Sequence, residues 1–165
     1  MCPFAATNAR TGTDDASARY GGVTDPHDLA RFVAAQDGVY PAALAELKCG
    51  RKTTHWMWFV FPQLRGLGRS ATALHFGIAS LDEARAYLAH PLLGPRLHEA
   101  SAALLAAPGS AEAILGPVDA MKLRSSMTLF AAAAPDPAPF DAVLARFFHG
   151  ERDPATTDII EGEAP

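Results

Sequence analysis

Apolar residues recur along this chain at three- and four-residue spacing, punctuated by glycine and proline, and that rhythm predicts helices. No such rhythm occurs before Thr24. Ala, Thr, Asp and Gly dominate there, and residues 1–24 read as a flexible tail closed by Gly21-Gly22. Order begins at Asp25-Pro26, an N-cap followed by proline at the first helical position, with Leu29, Phe32, Val33 and Gln36 on one face. A second run spans Tyr40 to Cys49, with Leu44 and Leu47 inward and Gly50 as its stop. Ser70 caps a short helix over Ala71 to Gly77, and Ser80 with Glu83 forms a capping box for one through Leu88. Gly94-Pro95 opens the next, which stops at Pro108-Gly109, and Ser110 caps another to Leu115. Asp119 caps the longest later helix, through Ala134. Phe140, Val143, Leu144 and Phe147 mark a last amphipathic one, Asp153-Pro154 begins a capped turn, and the chain frays beyond Ile160. With no repeat and no internal linker, the expectation is an all-α, compact multi-helical single domain over 25–160.

One stretch departs from the rhythm. His55-Trp56-Met57-Trp58-Phe59-Val60-Phe61-Pro62-Gln63 holds both tryptophans and two of nine phenylalanines. So many large side chains in a row form core, line a pocket, or do both. Tryptophan, phenylalanine and valine favour strands, so local propensity leaves 55–61 open between a buried strand and a short buried helix. No second clear strand exists to pair with it, which favours the helix.

Composition narrows the class. The 165 residues suit one self-sufficient core, and 49% hydrophobic with 19% charged residues is ordinary for a soluble globular protein. A net charge of −4 argues against broad binding of nucleic acid or anionic membrane. No segment has the length of a membrane span or the pattern of a signal peptide, so a cytoplasmic protein is expected. Cys2 and Cys49 have no CxxC partner. A disulfide between them is not expected, and thiols suit a reducing cytosol. An oligomer is open.

Candidate chemistry lies at two places. On the Asp119 helix a wheel at about 100° per residue puts Leu123, Met127 and Phe130 on a core face. Lys122, Ser125 and Ser126 share a second face that shades into Leu129, and Arg124, Thr128 and Met121 a third. A lysine and two serines within one turn can hold phosphate or carboxylate, against the plainer reading of a solvated polar face. Lys-x-x-Ser reverses the order found in serine acyl-enzymes, so no nucleophilic serine is indicated. The aromatic stretch is the second place. Trp56 or Trp58 could stack on a planar ring, Gln63 could orient it, and His55 is the candidate acid/base. The plainer reading there is core packing and a helix-capping histidine.

Gly66-Leu67-Gly68-Arg69-Ser70-Ala71 formally matches a dinucleotide fingerprint, but Pro62 to Arg65 separate it from the apolar run and no second strand follows. What survives is Arg69 with the amides around Ser70 as an anion contact, against a plain N-cap. The six histidines form no HExxH pair or compact cluster with carboxylates, so no metal is expected and no cofactor is called for.

These residues also carry a resemblance. The chain resembles a bacterial family of unknown function sometimes given the name calpastatin. The matching pieces are Asp28 to Gln36, His55 to Gln63 with Gly66-Leu67-Gly68, Ala86 to Leu97, Lys122 to Phe130, and Asp153. The resemblance implies a mostly helical single domain and brings no activity or catalytic residue. Protease inhibition by a disordered chain, which the name suggests, does not suit so compact and apolar a sequence. Ala35-Gln36 with the later Tyr87-Leu88-Ala89-His90-Pro91-Leu92-Leu93 run is also similar to helical N-glycosidase-like proteins of ADP-ribose and riboflavin metabolism. Those carry lysine after the glutamine, where this chain has Asp37.

Two functions follow as expectations. The first is a small-molecule site, with or without catalysis, for an anionic ring-containing ligand such as a nucleotide or ADP-ribose-type derivative. Trp56, Trp58 and Gln63 would hold the ring, and Lys122, Arg124, Ser125, Ser126 and Arg69 the anion. The second is a non-catalytic helical interaction module or homodimer.

Overall fold

The computed structural model describes residues 24–162. Ten helices run through them in order: α1 Ala30–Gln36, α2 Tyr40–Lys48, α3 Met57–Val60, α4 Ala71–Phe76 and α5 Leu81–Ala89, then α6 Leu93–Ala106, α7 Ala111–Leu115, α8 Pro117–Ala133, α9 Ala138–Phe148 and α10 Pro154–Gly162. No strand forms among the described residues. One isolated parallel bridge joins Leu64 and Ile78, with the Arg65 amide donating to Ile78 O at 2.8 Å and the Ile78 amide to Gln63 O at 2.9 Å. The all-α, single-domain expectation holds, and the aromatic stretch resolves as a helix of one turn.

Helix α8 is the axis, packed against α5, α7, α9 and α10. Leu123, Met127 and Phe130 are fully buried, as their shared face requires, but burial does not stop there. Ser126, Thr128 and Leu129 are buried too, so from Ser125 to Ala131 the helix is enclosed nearly all round. Two of its three hydroxyls there bond back one turn, Ser125 Oγ to Met121 O at 3.2 Å and Thr128 Oγ1 to Arg124 O at 2.8 Å. The polar face that the wheel suggested is therefore mostly interior.

A single turn such as α3 is too short to hold itself. Gln36, buried on α1, clamps it. Its Nε2 donates to Phe59 O at 2.7 Å and to Tyr87 Oη at 3.1 Å, while its Oε1 accepts from Arg96 at 3.3 Å. Arg31 does similar work for the segment entering α5. Its guanidinium pairs with Glu83 at 2.5 Å and donates to the carbonyls of His75 and Gly77 at 2.8 and 3.2 Å. Ser80 Oγ accepts from the Glu83 amide at 3.2 Å, the first half of the expected capping box. The second half is diverted, because the Glu83 carboxylate takes the Ala79 amide at 2.8 Å and Arg31.

Helix starts shift where side chains have other work. Asp25 caps α1 from a distance, accepting from the amides of Leu29 and Ala30 at 2.8 and 2.9 Å, while Asp28 turns at φ 51° before the helix begins. Gly116, at φ 87°, starts α8 with Pro117 at its first position, so Asp119 sits in the first turn and is not the cap. The segment after Asp153 is a full helix, not a turn.

The expectation of a free thiol at Cys49 is also overturned. Cys49 is disulfide-bonded, so the thiol argument for a reducing compartment fails. The chain's other cysteine, Cys2, and the expected tail lie outside the described residues, apart from Thr24.

Candidate functional site

The two tryptophans of the aromatic stretch face different surroundings. Trp56 is fully buried, and its Nε1 donates to the Glu46 carboxylate at 2.8 Å. Glu46 also accepts from the hydroxyls of Thr53 and Thr54 at 2.9 and 2.6 Å and from both their amides. Trp56 is therefore core, with its one donor satisfied. Trp58, two residues on, is half-buried and borders a small cleft with Met57, Phe61, Gln63, Ala73, Phe76, Gly77 and Lys122.

Each wall of the cleft has a local cause. α3 presents Met57 and Trp58, and α4 presents Ala73 and Phe76. Phe59, Phe76 and Phe32 stack in sequence, at 5.4 and 5.8 Å between ring centres, which fixes α4 against α3 and α1. Two glycines let the Gln63–Gly68 loop lie on α4. A Cβ on Gly68 would come within 2.6 Å of the Ala73 methyl, and one on Gly77 within 2.8 Å of Arg65 Cα. The Gln63 backbone is held by the bridge to Ile78, so its side chain is presented from a fixed point.

Lys122 closes the cleft from α8. Its Nζ stands 4.4 Å from the centre of the Trp58 ring, within cation–π range, and 3.2 Å from Asp119 Oδ1 one turn back. Asp119 Oδ2 takes Lys52 at 2.9 Å. With Lys122 in this position the cavity volume is only about 10 Å³, the space of roughly one water. Lys122 is the one charged side chain among the lining residues, and Asp119 pairs with it from one turn back.

Of the other candidates, Ser125, Ser126 and Arg124 go elsewhere. Ser125 Oγ lies 3.0 Å from Asp153 Oδ2, and Arg124 donates to the carbonyls of Glu151 and Arg152 at 3.1 and 2.8 Å. Both tie the segment before α10 to α8. Ser126 is wholly buried, and its Oγ has no hydrogen-bond partner. Arg69 and His55 are exposed and do not line the cleft. Ser70 caps α4 by accepting from the Ala73 amide at 3.1 Å, the plain N-cap reading. Among the described residues no group of three or more His, Cys, Asp or Glu side chains could hold a metal. No helix there is long and apolar enough to cross a membrane.

Sequence reasoning passed over Lys52, Asp119 as an ion-pair partner, and Glu46. Spacing could have exposed the Asp119–Lys122 pair, since residues three apart on a helix are neighbours. Lys52 and Glu46 reach the site only through tertiary packing, for which the chain offers no local sign.

A wider open groove of about 770 Å³ lies across Leu88, Ala89, Ala132 to Pro135 and Pro139. Arg85, His98 and Asp136 form its polar rim. Arg85 pairs with Asp82 at 2.8 Å, the His98 ring packs 5.1 Å from Phe140, and Asp136 accepts from the Ala138 amide at 3.0 Å.

A one-domain helical bundle with a tight aromatic and lysine-capped cleft is thus the class of protein in hand. Residues 26–160 match the family described as "Protein of unknown function (DUF1810)", and the chain belongs to that family. Among solved structures it is similar to the conserved hypothetical protein Rv1873 from Mycobacterium tuberculosis. The two are 54% identical, with a TM-score of 0.82, over 83% of this chain and 99% of that one. No curated protein matches.

Proposed function

We propose that this protein binds a small anionic, ring-bearing molecule, such as a nucleotide or ADP-ribose-type derivative, at the Trp58–Lys122 cleft. The observation that carries the reading is the Lys122 ammonium 4.4 Å over the half-buried Trp58 ring, beside Gln63. An aromatic face, a directional amide and a movable cation are the three things such a ligand needs. On binding, Lys122 turns from the Trp58 face to the ligand's anion, and the ring takes the lysine's place on the indole. Binding is favoured over catalysis because Lys122 is the one charged side chain in the lining.

Thermal-shift and calorimetric titrations with nucleoside phosphates and sugar phosphates test it. A bound ligand raises the melting temperature by mass action. Trp58→Ala and Lys122→Met each remove that response if the reading is right. No response from wild-type protein at millimolar ligand defeats it.

A second reading has its own observation. Val118 and Met121, one turn apart on α8 next to Lys122, are 64% and 71% exposed. Exposed apolar side chains beside the cleft favour an interaction module or homodimer. Sedimentation as a concentration-independent monomer rules out the homodimer.

A further inference from the structure

Lys52 and Lys122 share one carboxylate. Lys52 Nζ lies 2.9 Å from Asp119 Oδ2, and Lys122 Nζ lies 3.2 Å from Asp119 Oδ1. Both ammonium groups also stand over tryptophan rings, Lys52 at 5.3 Å from the centre of Trp56 and Lys122 at 4.4 Å from that of Trp58. The three charged side chains are largely withdrawn from water, at 9%, 21% and 17% exposure for Lys52, Lys122 and Asp119. Two cations on one anion leave a positive charge over, in a place where unpaired charge is costly. A further carboxylate, Glu46, lies beside Trp56. It is taken up by Trp56, Thr53 and Thr54 and makes no ion pair among the described residues.

We propose that Lys52, Asp119 and Lys122 form a latched phosphate subsite. Asp119 stands where the ligand's anion will compete. It holds Lys122 down over Trp58 and keeps the cleft closed, while Lys52 supplies the second positive charge that makes exchange for a dianion favourable. This rests on the cleft reading above and names the anion it takes. Phosphate fits better than carboxylate for two reasons. An ammonium group is a point charge with rotatable donors, without the planar fork that matches a carboxylate. A phosphate monoester also carries about −1.5 to −2 near neutral pH, closer to what two lysines can balance. Asp119 is thereby a selectivity residue, since a singly charged anion gains little by displacing a carboxylate that is already in place.

The test titrates inorganic phosphate, with acetate as comparison at matched ionic strength, into the full-length protein. Wild type, Lys52→Met, Asp119→Asn and Asp119→Asn/Lys122→Met are compared. The readouts are indole fluorescence, assigned with Trp58→Phe, and melting temperature. Wild type is expected to answer phosphate and not acetate, with Lys52→Met at least about tenfold weaker and Asp119→Asn about tenfold tighter. The double variant should lose the gain. Equal phosphate response in wild type and Lys52→Met, including none in either, overturns the proposal. So does an Asp119→Asn protein that binds no tighter, or acetate that binds as well. Should Asp119→Asn fail to fold by circular dichroism, the wild-type and Lys52→Met pair still decides. A ring-bearing ligand that still protects Trp58 while phosphate binding is absent sinks this inference alone. Phosphate binding without any response to ring-bearing ligands sinks the ring assignment and leaves the subsite.

Discussion

Trp56 donates its indole N–H to Glu46 at 2.8 Å, which supplies the one hydrogen bond that its buried ring requires. Trp56 lies in the core, and Trp58, two residues on, borders the cleft. Removing the carboxylate with Glu46→Ala strands a buried indole donor and releases both threonines, a loss of about 1–3 kcal/mol. A lowered melting temperature checks it. The acid limb should change too. Burial pushes the Glu46 carboxyl up, but hydrogen bonds from Thr54, Thr53 and Trp56 outweigh it and bring the pKa from 4.5 down to about 2. A folded value below the unfolded one gives stability that is complete above 4.5 and lost as pH falls toward 2. Glu46→Ala should flatten the stability–pH curve in that window. An unchanged curve would count against the network.

His90 sets a second pH dependence, nearer neutrality. Its Nδ1 accepts from the amides of Leu92 and Leu93 at 3.1 and 3.3 Å, so the neutral ring serves the entry to α6. Burial lowers its pKa below the usual 6.5, partly opposed by the Asp25 carboxylate. The unfolded chain therefore takes up this proton first, and the associated stability, present above 6.5, is lost as pH falls below it. In chemical unfolding between pH 7 and 5, the wild type should lose stability faster than His90→Asn. Parallel curves would show that His90 contributes no linkage.

The helices were legible because their caps and glycines are local. Ser70, Ser80 and Ser110 each accept from the amide three residues on, as their positions require. The core stripe Leu123, Met127 and Phe130 was legible for the same reason. Much less of the site could be read. Ser125 and Arg124 looked like anion ligands on a wheel, because a wheel shows which residues share a face but not what covers it. What covers them is the Glu151–Asp153 segment, distant in sequence. Trp56 and Trp58 are indistinguishable in composition, yet Trp56 is buried against Phe61 with its N–H on Glu46 while Trp58 is half-buried beneath Lys122. Lys122 could be named from sequence, and its carboxylate partner one turn back went unused.

Gly94 looks like a helix start in the sequence, and packing gives it a harder constraint. It is buried at the second position of α6, and a Cβ there would fall 2.0 Å from Leu88 O and 2.9 Å from Leu88 C. Backbone cannot yield as a side-chain tip does. Gly94→Ala must pry α6 from the end of α5, at a cost on the order of 3 kcal/mol. That corresponds to a melting temperature lower by roughly 6–12 °C for a chain of this size. Gly66→Ala serves as a contrast, since no atom lies within 4 Å of its Cβ position and only its φ of 104° resists the change. A Gly94→Ala protein as stable as wild type would mean that the α5–α6 corner adjusts freely.

Arg124 separates the two views of α8 most directly. If it belongs to an anion site, Arg124→Met weakens ligand binding along with Lys122→Met. The geometry assigns it other work. Its guanidinium holds Glu151 O, Arg152 O and the Glu151 carboxylate, while Ser125 Oγ and the Thr156 amide both bind Asp153 Oδ2, each at 3.0 Å. Loss of Arg124 should therefore loosen the Glu151–Asp153 segment and α10 by about 1–2 kcal/mol, because hydrogen bonds from a charged donor are among the stronger ones. Hydrogen exchange should report faster amides across Pro154–Gly162 and unchanged protection through α3 and α4. The same protein should keep its Trp58 fluorescence and its response to phosphate. Retained α10 protection with lost binding would move Arg124 back into the site.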